Sequence, residues 1–90
     1  MAERYSVKVK VISQKGFCAI GHKVGDEFVI SRTTPSGLCL AAFDAFFPRM
    51  QTLMFGGKFP WSQDQDSVFA ACPDPTNPVV FELRRIKTDE

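Results

Sequence analysis

Gly37-Leu-Cys-Leu-Ala-Ala-Phe-Asp-Ala-Phe-Phe-Pro-Arg-Met-Gln-Thr-Leu-Met-Phe-Gly-Gly57 decides the fold. No other segment is long enough and apolar enough to be the main helix. Leu38, Ala42, Phe46, Met50 and Leu53 (or Met54) recur at spacings of three and four, which stacks them on one helical face. Phe43, Phe47 and Phe55 widen that face, and only Asp44, Arg49, Gln51 and Thr52 look outward. A helix this apolar needs cover on more than one side, from a sheet and from a second subunit or partner. Pro48 lacks an N–H and its ring clashes with the preceding turn, so a kink, or two short helices meeting at Phe47-Pro48, is expected. Gly56-Gly57 supplies a glycine stop. Upstream, Thr33, Thr34 and Ser36 offer capping oxygens and Pro35 suits a first turn, with the helix starting near Leu38.

The flanking segments read as strands. Residues 5–13 alternate, with Tyr5, Val7, Val9 and Val11 on one face and Ser6, Lys8 and Lys10 on the other, until Ile12 breaks the pattern. Gln14-Lys15-Gly16 is a turn. Residues 17–26 form a glycine loop in which Gly21 and Gly25 can take positive φ, and Val24-Gly25-Asp26 turns into a second strand over 27–31 with Phe28 and Ile30 inward. Phe59 and Trp61, in an irregular stretch, fold back on the helix. Residues 67–72 and 79–86 are a third and a fourth strand, joined by the proline-rich turn 73–78 as an antiparallel hairpin. Val79, Phe81 and Leu83 share one face of the last strand. The expectation is one α+β domain over residues 1–90, a small, mostly antiparallel sheet of about four strands with helix packed on one face.

Composition narrows the function classes. The apolar fraction is 44%, with nine Phe, which permits a core without staples. The net charge is +1 with both signs interspersed, which argues against nucleic acid, since phosphate neutralisation needs a clustered excess of Lys and Arg. Lys8, Lys10, Arg84, Arg85 and Lys87 read as a solvated strand face. No membrane span is expected, because Asp44, Pro48 and Arg49 interrupt the apolar stretch. Met-Ala-Glu-Arg-Tyr carries no secretory signal, so a cytoplasmic protein with reduced cysteines is expected.

Several short motifs line up along the chain: Cys18-Ala-Ile-Gly-His-Lys-Val-Gly-Asp-Glu-Phe28, Gly37-Leu38-Cys39, Gly56-Gly57 followed by Pro60-Trp61, Cys72-Pro73-Asp74-Pro75, and Asn77-Pro-Val-Val-Phe-Glu-Leu83. Together they resemble a TIGR-catalogued family of small prokaryotic proteins of unknown function, over nearly the whole chain. The resemblance implies a single compact domain and brings no activity, substrate or cofactor. One departure is Leu40, where members often have Pro after the Gly-Leu-Cys cysteine.

Three constellations bear on chemistry. Cys18, His22, Cys39 and Cys72 are a chemically sound zinc set, all at element boundaries, though no Cys-x-x-Cys knuckle is present and inert buried thiols are the plainer alternative. Cys39 at a helix N-terminus, where a thiolate is favoured, with His22 nearby, would serve as a nucleophile or redox sensor. His22, between glycines in a loop, is expected to be partly exposed, and a ring hydrogen-bonded to backbone is its commoner role. Asp26 and Glu82 suggest no acid–base pair, and Asp74 between two prolines is expected to cap its own turn. Gly21-x-x-x-Gly25 and Gly56-Gly57 lack the residues of a phosphate loop. Finally, Phe43, Phe47, Phe55 and Trp61 are read as an aromatic face, and nine Phe exceed what a small core hides. The preferred expectation is a non-catalytic binding or accessory module that self-associates or docks on a protein partner through that face. A Cys3His metal protein and a thiol redox sensor or enzyme are the alternatives.

Overall fold

The structure, a computed structural model, describes residues 5–16, 18 and 20–87. The charged N-terminal tetrad and the loop residues Phe17 and Ala19, used in the sequence reading, lie outside the described residues. Within them the chain runs β1 (Tyr5–Gln14), β2 (Glu27–Ile30), α1 (Leu40–Met54), β3 (Ser67–Ala71) and β4 (Val79–Lys87). The strands form one antiparallel sheet in the order β2-β1-β4-β3, with α1 packed over β3, β1 and β4. This is the α+β architecture that the alternating strands and the apolar helix lead to.

The period-two pattern decides which face is covered. Val7, Val9 and Val11 of β1 pair with Arg85, Leu83 and Phe81 of β4, so one face carries an unbroken apolar row. Val68 of β3 and Ile30 of β2 extend it, and all are buried except Arg85, which ends the row at its rim. Ile12 breaks the alternation because the ladder slips there. Val11 opposes Phe81 and Ser13 opposes Val80, which leaves Ile12 as a bulge residue with an exposed side chain.

Against this row α1 buries Ala42, Phe46, Met50, Leu53 and Met54. Phe46 meets Phe81 edge-on at 5.5 Å. Fully burying side chains of that size stabilises by roughly 1.5–3 kcal/mol each, which outweighs the mediocre helix propensity of Phe. The helix runs unbroken through Pro48, so the two-helix alternative is not what forms. Asp44, whose carbonyl would accept the bond Pro48 cannot donate, is exposed, as is Pro48 itself, so water can satisfy that carbonyl. Downstream, the Thr52 hydroxyl donates to the Pro48 carbonyl at 3.0 Å.

The two helix ends are fixed differently. At the C-terminus Gly56 takes φ +82°, its N–H donates to Leu53 O and the Gly57 N–H donates to Thr52 O, the paired bonds of a Schellman stop. A Cβ on Gly57 would sit 2.5 Å from Thr52 Cγ2, so both glycines are needed. No basic residue lies in the last helical turn. Arg85 of β4 supplies the positive charge instead. Its Nη1 donates to Leu53 O at 3.2 Å, its Nη2 to Gly57 O at 2.9 Å and to Gln65 O, and its Nε pairs with Asp66 at 3.1 Å. Its guanidinium lies 5.4 Å from the Tyr5 ring centroid. The solvated-face reading is therefore corrected for Arg85, whose side chain is only 8% exposed. It continues the inward row of β4 after Leu83, where the helix has ended and its carbonyls want donors. Arg84, on the outer face, pairs with Asp64 at 3.0 Å and Glu82 at 3.4 Å as a surface residue would.

At the N-terminus the sequence expectation also fails. The helix starts at Leu40, two residues later than expected, and the N-cap is Cys39, whose side chain makes no capping bond. Thr33, Thr34 and Ser36 lie outside the cap. The group that meets this helix end comes from the glycine loop.

Candidate functional site: a thiol-lined cavity at the start of the helix

The topology brings three segments to one end of the sheet. The β1–β2 connection leaves at Gln14, the β3–β4 turn returns at Val79, which pairs with Gln14, and α1 begins beside them. Between these segments lies a cavity of about 200 Å³. Cys18, His22, Cys39 and Cys72 all line it, and Ile20, Ala42, Val79 and Phe81 make its wall largely apolar. The four side chains singled out by chemistry alone are thus gathered from three separate parts of the chain.

His22 is buried, at 5% exposure, not the partly exposed loop residue expected. Its ring stands edge-on to Phe28 of β2 at 5.4 Å and to Phe81 of β4 at 6.2 Å. Between those rings, Nε2 accepts a hydrogen bond from the backbone N–H of Cys39 at 3.1 Å. An imidazole that accepts at Nε2 is neutral and carries its proton on Nδ1. The backbone-bonded role weighed from the sequence is therefore present, and the backbone concerned is the helix cap. One of the donors that a helix start leaves open is satisfied by a side chain 17 residues upstream.

Each cysteine has a different setting. Cys72 Sγ accepts from the Val79 N–H at 3.3 Å and contacts Asn77 O at 3.8 Å, so it stitches the hairpin turn from inside. Asp74 braces the same turn as expected. Its Oδ1 accepts from the N–H groups of Thr76 and Asn77, and its Oδ2 accepts from Asn77 Nδ2 at 3.2 Å. The Asn77 side chain and these two amides hold the Asp74 carboxyl below the usual carboxylate range.

Cys18 opens a turn in which the Gly21 N–H donates to Cys18 O at 2.9 Å and Gly21 takes φ +88°. The Cys18 thiol is under opposing influences from burial, from the backbone of His22, Ile20 and Gly21, and from Asp74. Burial pushes the thiol up and is the largest single influence. The three amides together outweigh it and the nearby Asp74 charge, leaving the Cys18 pKa lowered. Sequence reasoning weighed Cys39 as a reactive thiol and Cys18 only as a metal ligand. The sequence signal near Cys18 was Gly21, three residues on, which takes a positive φ.

The arrangement is not a ready metal centre. Among the described residues no three His, Cys, Asp or Glu side chains are grouped so as to hold a metal ion. His22 Nε2 is occupied by the Cys39 amide and Cys72 Sγ by the Val79 amide.

The aromatic set divides. Phe43 meets Phe46 edge-on at 5.8 Å and lies tilted against Phe47 at 5.4 Å and is half-buried, while Phe47 and Phe55 (56% exposed) border a groove along the β2 side with Ile30 and Met54. Trp61, 64% exposed, stands on the opposite side, stacked on Phe59 and 5.6 Å from Arg49, whose Nη1 donates to Phe69 O of β3. Phe43, Phe47, Phe55 and Trp61 are not one continuous face. Among the described residues no helix is long and apolar enough to cross a membrane. No protein-family model, curated protein or solved structure matches this chain.

Proposed function

We propose that this domain is a small thiol-based binding module, with the cavity at the start of α1 as its site and Cys18 as the group that engages the ligand. The observation that supports the reading is that three free thiols line one largely apolar cavity, with the Cys18 pKa lowered by the backbone of His22, Ile20 and Gly21 against burial. A cavity of this size and lining suits a small, largely apolar or soft ligand, because sulfur is polarisable and the wall offers few polar groups. The catalytic inventory is poor, since His22 faces the helix cap instead of a thiol. The reading is therefore binding or sensing, with the thiol as the responsive atom.

The test is competitive alkylation of the folded protein with iodoacetamide, followed residue by residue by mass spectrometry. Cys18 is expected to react faster than Cys72 at neutral pH, because its lowered pKa populates the thiolate, a gain offset in part by reduced thiolate nucleophilicity. Equal rates at Cys18 and Cys72, or a Cys18 rate no higher than in the urea-unfolded chain, would overturn it.

A second reading is a protein-interaction module, favoured by the exposure of Phe47 and Phe55 along the β2 side of the helix. It requires a concentration-dependent native mass, or capture of a partner, that Phe55→Ser abolishes.

A further inference from the structure

From the separate settings of the three cysteines in one cavity, we infer that Cys18 and Cys39 form a redox pair that responds to a hydroperoxide, while Cys72 is a structural thiol. The inference rests on the thiol-site reading above and names its reaction and its second residue.

Cys18 is the sulfur best placed to attack. It lines the cavity, which gives a small peroxide room beside it, and its lowered pKa keeps more of it as the attacking thiolate. The thiolate of Cys18 attacks one oxygen of the O–O bond. An S–O bond forms, the O–O bond breaks, and the leaving alkoxide or hydroxide takes up a proton to become an alcohol or water. The sulfur loses two electrons to the peroxide and becomes a sulfenic acid.

A sulfenic acid in reach of a thiol condenses with it. The cavity offers two candidates. Cys72 Sγ is engaged by the Val79 N–H and Asn77 O, and moving it would open the turn that Asp74 braces. Cys39 lines the same cavity, and its side chain makes no capping bond, so its sulfur turns without loss of a native hydrogen bond. Its thiolate attacks the Cys18 sulfur, an S–S bond forms, the S–O bond breaks, and the departing hydroxide joins the proton released from Cys39 as water. The sum is one hydroperoxide and two thiols giving one disulfide, one alcohol or water, and one further water. A bond between these residues ties the glycine loop to the helix cap, the same two segments that His22 already joins through the Cys39 amide. Oxidation therefore acts at the point where the site meets the fold.

The experiment oxidises the reduced wild-type protein with a small excess of hydrogen peroxide, counts free thiols, and maps disulfides by peptide mass spectrometry. Parallel samples contain dimedone to trap sulfenic acid. Two of the three thiols are expected to be lost, with Cys18 joined to Cys39 and recovery on adding dithiothreitol. Cys72→Ser should behave as wild type, and Cys39→Ser should instead accumulate the dimedone adduct at Cys18. A Cys18 adduct in wild type without a disulfide, or a disulfide to Cys72, overturns the pair and leaves Cys18 as the reactive thiol. Cys18 remaining reduced in folded wild type, at a peroxide dose that oxidises the urea-unfolded chain, overturns both. The wild-type map alone decides among these outcomes, should either variant fold poorly.

Discussion

His22 Nε2 accepts the backbone N–H of Cys39 at 3.1 Å, so the cap of the only helix among the described residues is supplied by a loop two elements upstream. An imidazole usually draws attention for its chemistry. Here its position between Phe28 and Phe81 and its single bond to the helix start make it a structural pin.

That role separates two substitutions. His22→Phe keeps an aromatic ring between Phe28 and Phe81 but leaves the half-buried Cys39 N–H without an acceptor, which costs about 1–3 kcal/mol. His22→Gln gives up ring packing but offers a carbonyl oxygen at a similar reach. Urea denaturation should therefore rank wild type above His22→Gln and His22→Gln above His22→Phe, and amide exchange at Cys39 and Leu40 should quicken most in His22→Phe. The reverse order would show that ring packing, not the acceptor, is what the site uses.

Arg85 closes the other end of the helix, and its network predicts that charge alone will not replace it. Arg85→Lys keeps the positive charge but cannot present a fork to Leu53 O, Gly57 O and Gln65 O together. The expected loss is about 1–3 kcal/mol, the effect of leaving poorly hydrated carbonyls with fewer donors. Asp66→Asn removes only the ion-pair partner, whose side chain is 66% exposed, and should cost at most about 1 kcal/mol. Chemical denaturation of the two variants checks the asymmetry. Equal losses would mean the ion pair dominates and the carbonyl contacts contribute little.

The contrast between the two helix ends explains what was legible in the sequence. The C-terminal stop could be read from Gly56-Gly57 because the motif is local, carried by backbone conformation at adjacent positions. The sheet was legible for the same reason, since period two along Tyr5–Gln14 and Val79–Lys87 specifies a covered face without reference to the rest of the chain. Even the break at Ile12 was visible, though not its meaning as a bulge. The N-terminal cap was not legible. Thr33, Thr34 and Ser36 are the usual capping types, whereas the acceptor that forms comes from His22, a partner set by tertiary structure. Arg85 was misread similarly, since strand alternation gives its face but not the helix carbonyls that wait above it. Among the site residues, that Cys18, His22, Cys39 and Cys72 belong together was suggested by their chemistry and by their placement at element ends. That burial is outweighed at Cys18 depends on the backbone of His22, Ile20 and Gly21, and Gly21 was the only trace of that loop's conformation in the sequence.

Asp74 links the stability of the turn to the reactivity of the site, and its pH behaviour tests both. The Asn77 side chain and the Asn77 and Thr76 amides lower its folded-state pKa, while in the unfolded chain it titrates near the ordinary value of about 3.9. Between those two values the unfolded state binds the extra proton, so stability rises with pH. The contribution is complete above the unfolded pKa and is lost as pH falls through the folded one. Asp64, lowered first by the Asp66 amide and then by Arg84, acts in the same direction and is held constant by comparing wild type with Asp74→Asn. The stability difference between these two proteins should be flat above about pH 5 and shrink on acidification. A difference that stays level through the acid range would mean that the turn does not favour the charged carboxyl. At neutral pH the same substitution removes the charge that pushes Cys18 up, so the Cys18 thiolate should become more populated and its alkylation faster, with Cys72 as internal reference. Unchanged Cys18 reactivity in Asp74→Asn would show that the turn and the thiol are electrostatically independent, and would leave the amides of Ile20, Gly21 and His22 as the whole of what activates Cys18.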